Sequence, residues 1–128
     1  YTEVLSVYRK DYREACRRDL DEAARAATGV ERRRVEFLLQ GFEYFDKTME
    51  AAELTFPLLK AGWRPADGSR HSTPAQVAAA IKAWEGRDRL IEPHKEDFVL
   101  SYLWVKYNNE QRGFNPLRRF RAAENTRR

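Results

Sequence analysis

Between Val35 and Phe56, the residues Val35, Leu38, Phe42, Phe45, Met49, Ala52 and Phe56 are separated by steps of 3, 4, 3, 4, 3 and 4. Six alternations in succession place seven apolar side chains on one face of a helix, because 3.6 residues complete a turn. A strand would need period two, so this stretch cannot be one. The spacing predicts a helix over residues 31–60. Phe37, Leu39 and Leu59 widen the stripe beyond a two-helix seam, which predicts packing in a bundle. Pro57 lacks an N–H and crowds the preceding turn, so it should kink or end the helix near Thr55–Phe56.

Residues 1–27 repeat the pattern. Tyr1, Leu5, Tyr8, Tyr12, Cys16, Leu20, Ala23 and Ala27 fall on one face. Arg9, Lys10, Arg13, Glu14, Arg17, Arg18 and Asp21 fall between them, as a solvated face. Gly29 follows, and glycine tolerates the left-handed conformation that stops helices. A short turn there makes the first two helices a long antiparallel hairpin. Gly62, Pro65 and the Asp67-Gly68 pair mark a loop over 61–72, with Trp63 as a plug over the core. Thr73-Pro74-Ala75-Gln76 has the capping residue, the first-turn proline and the glutamine of a capping box. Val77, Ile81, Trp84 and Ile91 form the inner face of that third helix, which Pro93 interrupts. A fourth helix is expected over 94–111. Its centre, Phe98 to Tyr107, is also rich in strand formers, but Glu96 and Asp97 precede it as first-turn acids and the run is long. The expected fold is all-α: a helical bundle of about four helices over 1–111, followed by a basic tail over 112–128.

The chain has 128 residues, 42 % of them hydrophobic and 12 % aromatic. That is the make-up of one folded domain, since disordered chains lack so many apolar groups. A single cysteine excludes an internal disulfide framework and a multi-cysteine zinc site. The longest apolar run is far short of the roughly 20 residues of a membrane span. Of the formal net charge of +4, the tail carries more than the whole. Arg112, Arg118, Arg119, Arg121, Arg127 and Arg128 stand there against Glu124 alone, and the rest of the chain is close to neutral. Such a tail can contact phosphates, or be a solvated, frayed end. The chain opens on Tyr1 without a basic and apolar leader, which suits a segment of a longer precursor.

The residue types that carry catalysis do not converge. A di-iron bundle needs Glu-x-x-His on two helices, and neither His71 nor His94 has a glutamate three residues before it. Cys16 lies on an inner helix face with no local histidine, so it reads as a structural thiol. Glu43, Asp46, Glu50 and Glu53 could serve as acid and base, but their spacing is that of a solvated helix face. Trp84 shares a stripe with Ile81 and Val77 and reads as core. Trp63 and Trp104 are the better candidates for an exposed aromatic platform. No catalytic, cofactor-binding or metal-binding residue is assigned, and no cofactor is implied.

The segment Arg34-Val35-Glu36-Phe37-Leu38-Leu39-Gln40-Gly41-Phe42-Glu43-Tyr44 resembles an Arg-Val-Glu-Phe-x-x-x-Gly-Leu-x-Tyr pattern. It is similar to one in the helical C-terminal region of large bacterial glycoside-hydrolase-like proteins with a domain of unknown function. Phe42 stands here where that pattern has leucine. The likeness centres on about 20 residues and agrees loosely over about 60. It implies a non-catalytic helical accessory module beside a carbohydrate-active barrel, in a secreted or periplasmic setting. Catalytic carboxylates would lie on the barrel, so none transfers to this chain. Gly41 would be explained by close approach of a neighbouring helix, since glycine in mid-helix costs about 1 kcal/mol against alanine.

Apolar groups on two faces of the helices ask for a further partner. An exposed apolar patch is expected at Phe37, Leu39, Trp63 and Trp104, covered by a neighbouring domain of a larger protein or by a second copy of the chain. The alternative is a free-standing helical protein that binds nucleic acid or another anionic polymer through the arginine-rich tail. The neutral body makes nucleic acid the weaker partner. A small helical enzyme is the third and least supported reading.

Overall fold

A computed structural model describes residues 2–60 and 73–94, and all of its regular structure is helical. Helix α1 spans Thr2–Val7, α2 Lys10–Ala26, α3 Gly29–Lys60 and α4 Pro74–Ile91, with a 3-10 turn over Glu92–His94. The all-α expectation therefore holds. Leu59's side chain, Trp63, Trp104, the helix expected over 94–111 beyond His94 and the basic tail all lie outside the described residues.

The chain divides into two compact units, Tyr1–Met49 and Glu50–Arg128, with the boundary inside α3. In the first unit, the single helix expected over 1–27 is interrupted at Tyr8–Arg9. Arg9 is extended, at φ −61° and ψ 159°, and α2 restarts behind it. The physical reason lies one turn on. The Tyr8 carbonyl at the break accepts from Arg13 Nη1 at 2.6 Å, so that acceptor is paired. Arg13, expected on the solvated face, is instead 2 % exposed. Its Nε donates to Asp46 Oδ1 at 2.7 Å. Beside this pair Tyr8 meets Phe45 edge to face at 5.2 Å, and the Arg17 guanidinium lies 5.2 Å over the Phe42 ring. Burying a guanidinium costs several kcal/mol, which only good geometry and satisfied protons offset. The pairing with Asp46 and the Tyr8 carbonyl meets that condition.

Helix α3 matches its predicted span and does not end at Pro57, because it runs through that residue to Lys60. Pro57 is exposed, so its ring projects into solvent. Two residues back, Thr55 Oγ1 donates to the Ala51 carbonyl at 2.8 Å. The stripe is also not covered evenly. Met49 and Ala52 are buried and Val35, Phe42 and Phe45 half-buried, but Leu38 is 57 % exposed. Leu38 and Leu39 sit about 100° apart on the helix, and Leu39 is the half-buried one.

In the second unit, the α3 residues Ala51 and Leu58 pack with Val77, Ala80, Ile81 and Trp84 of α4 as one apolar cluster. All four residues expected on the inner face of this helix, Val77, Ile81, Trp84 and Ile91, are buried. Trp84 Nε1 donates to Thr55 Oγ1 at 2.8 Å, so the indole is buried without an unpaired donor. The capping box forms as expected: Gln76 N donates to Thr73 Oγ1 at 3.2 Å, and Thr73 N donates to Gln76 Oε1 at 2.8 Å. Arg87 is buried over Trp84, 4.5 Å from the ring centroid, and its Nε donates to Asp88 Oδ1 at 2.9 Å.

Two glycines carry opposite signs. Gly29 has φ +56° at the start of α3, a conformation that disfavours any residue with a Cβ. Gly41 is in mid-helix, and a Cβ built there meets nothing within 4 Å among the described residues. The neighbouring helix expected to crowd Gly41 is therefore not supplied by them. Gly29→Ala is expected to destabilise the chain by about 1 kcal/mol. Gly41→Ala should stabilise it by roughly 0.5–1 kcal/mol. Urea denaturation followed by circular dichroism checks both, and equal signs for the two would contradict this placement.

Candidate functional site

Two of the concave surfaces of the first unit are lined by aromatic and apolar side chains. The first lies between α2 and α3. The break before α2 turns Tyr8 toward Phe45, while Tyr12 and Cys16 follow one and two turns along α2. Phe42 closes the far side, giving a groove of about 390 Å³. The rings are layered edge to face and tilted. Tyr8 and Tyr12 lie 6.2 Å apart and Phe42 and Phe45 6.2 Å apart. Arg13 borders the groove, but its guanidinium is committed to Asp46 and to the Tyr8 carbonyl.

Cys16 is free and half-buried. Its described neighbour is Tyr12, one turn away. The Cys16 thiol raises the Tyr12 hydroxyl above its ordinary value of 10, first by accepting its hydrogen bond and then by the charge of the thiolate. A phenol that keeps its proton cannot take one from a thiol at neutral pH. Tyr12 is therefore not the base that a cysteine nucleophile needs. Asp46 of the acidic run is held by Arg13 and lies 3.9 Å from Arg17, so that carboxylate is occupied by cations. Among the described residues no group of three or more histidine, cysteine or acidic side chains is placed to hold a metal ion.

The second surface lies along the N-terminal half of α3. Val30, Arg33, Arg34, Phe37 and Leu38 line an open, largely apolar groove of about 450 Å³. Of the four residues expected at an interface, Phe37 lies here and is 42 % exposed. Leu39 is half-buried and faces another way. Trp63 and Trp104 lie outside the described residues. Val30 and Leu38 were not singled out for this role. Val30 has no apolar partner at i+3 or i+4, and Leu38 is indistinguishable by spacing from the buried members of its stripe. The signal that could have found them is the i, i+7, i+8 spacing of Val30, Phe37 and Leu38.

Comparison with known proteins found no matching family model, curated protein or solved structure. What the grooves can do therefore rests on their own chemistry.

The Tyr12 contact gives a pH signature. A raised tyrosine value means that the neutral phenol is favoured in the folded chain. The stabilisation it brings is fully present below pH 10 and is lost as the pH rises through the higher folded value. Alkaline titration followed by tyrosinate absorbance should show a tyrosine ionising above the ordinary value of 10. Cys16→Ala should return it toward 10, and an unchanged titration curve would remove the thiol as the cause.

Proposed function

We propose that the chain is a non-catalytic helical packing module that carries a neighbouring domain on α3. The observation that carries this reading is the exposed apolar groove at Val30, Phe37 and Leu38. Three large apolar groups together in solvent are what a docking face requires, whereas scattered single ones are ordinary. Within the first unit, the helices are read as an antiparallel hairpin. The order of contacts supports this: Tyr8 pairs with Phe45, Arg13 with Asp46 and, farther along α2, Arg17 with Phe42. Such a hairpin is a stiff arm, suited to holding a partner rather than enclosing a substrate.

The neighbour is proposed to be the barrel of a bacterial carbohydrate-active, glycoside-hydrolase-like protein. The resemblance of residues 34–44 supports this, and that segment includes Phe37 and Leu38 of the groove. No described helix is long and apolar enough to cross a membrane. The second reading, an anionic polymer bound by the tail, is favoured by the six arginines of residues 112–128.

The coding sequence upstream of Tyr1 discriminates between them. The packing-module reading expects an open frame that continues upstream and encodes a barrel. A start codon directly before Tyr1, together with a steep fall of log K for duplex DNA against log salt, would overturn it in favour of the tail.

A further inference from the structure

The groove on α3 has a chemistry that selects its occupant. At about 100° per residue, Val30, Arg34, Phe37 and Gly41 fall within about 60° of one another around the helix. Arg33 and Leu38 flank them on either side. The stripe that meets its own unit through Phe42, Phe45 and Asp46 borders this face on the Leu38 side. The face itself is left exposed by the fold of its own unit. Phe37 and Leu38 are both exposed, and both arginines are exposed as well. Neighbouring Arg32, in contrast, is paired with Glu36 at 2.9 Å.

Gly41 supplies a separate observation. It lies on this face one turn beyond Phe37, it is exposed, and no described group approaches where its Cβ would be. A mid-helix glycine has no local benefit to the helix. It does permit another backbone to approach closely, as small residues do where two helices cross.

We infer that the face formed by Val30, Arg33, Arg34, Phe37, Leu38 and Gly41 binds an acidic amphipathic helix of another domain or protein. Its apolar side chains would fill the space over Val30, Phe37 and Leu38, and its backbone would cross at Gly41. Its carboxylates would meet Arg33 and Arg34, the bidentate partners that guanidinium groups favour. A second copy of this chain is the poorer occupant. In a twofold pair the same patch meets itself, and the arginines lie at its middle, so an antiparallel pair centred on the patch would bring guanidinium against guanidinium. The inference rests on the packing-module reading and adds the chemistry of the partner to it.

The test uses the full 128-residue chain and two synthetic helical peptides with the same leucine pattern, one with glutamate and one with lysine at every polar position. Fluorescence anisotropy of each labelled peptide, and of a labelled DNA duplex, measures binding. The glutamate peptide is expected to bind at least tenfold more tightly than the lysine peptide. Phe37→Glu and Gly41→Leu should each weaken it at least tenfold while circular dichroism stays unchanged. The double variant Arg33→Glu, Arg34→Glu should reverse the preference and bind the lysine peptide better. Equal binding of both peptides, or binding of the glutamate peptide that survives Phe37→Glu and Gly41→Leu, would overturn the inference. So would a concentration-dependent dimer in sedimentation that Phe37→Glu abolishes, or duplex binding lost in the Arg33, Arg34 variant. A barrel encoded upstream together with a failed peptide assay would remove the partner chemistry alone and leave the packing-module reading standing.

Discussion

The first unit depends on one buried cation. Arg13 makes two bonds of different kinds: one to a carboxylate 33 positions along the chain and one to a backbone carbonyl five positions back. The first ties α2 to α3. The second pairs the Tyr8 carbonyl where the N-terminal helix breaks. Without that donor, the break at Tyr8–Arg9 would leave a polar group with a partner to find. The aromatic layer of Tyr8, Phe42 and Phe45 lies beside the Arg13–Asp46 pair. Buried ion pairs contribute little net stability compared with apolar replacements, but breaking one leaves an uncompensated charge. Their effect is thus to penalise every other alignment of the two helices.

The second unit uses the same economy of polar groups within an apolar core. Thr55 accepts from the Trp84 indole and donates to the carbonyl of Ala51. A single hydroxyl therefore satisfies the tryptophan while remaining satisfied itself. Arg87 covers the indole face, where the ring quadrupole attracts a cation most strongly after desolvation. In both units an arginine is buried near aromatic rings. The long stem of this side chain packs as an apolar group, while its planar head keeps its donors in use.

Periodicity made the helical class, the extent of α3 and the core face of α4 legible in advance. The capping box at Thr73 was equally plain, because it depends on residues three apart in the chain. What escaped depends on contacts distant in sequence. Arg13 has the spacing of a solvated residue, and nothing local distinguishes it from Arg9 or Arg17. Its burial follows from Asp46, which has the spacing of one of four surface acids. Pro57 offers either a kink or a stop, and α3 continues past it to Lys60. Leu38 and Leu39 compete for one covered position, and spacing alone cannot choose between them. The exposed groove on α3 was legible only through Phe37. Gly41 signalled a close approach, and the described residues leave that space open.

The account turns on whether Arg13 and Asp46 act as one unit, and a double-mutant cycle measures this directly. Arg13→Met, Asp46→Leu and the pair together would be compared by urea denaturation. Each single change is expected to destabilise the chain by roughly 3 kcal/mol, since it leaves the other partner without its counter-charge. The double change is expected to cost about 4 kcal/mol rather than the roughly 6 kcal/mol of simple addition, a coupling energy of about 2 kcal/mol. Single effects that simply add, with no coupling, would contradict the claim that this pair holds α2 against α3.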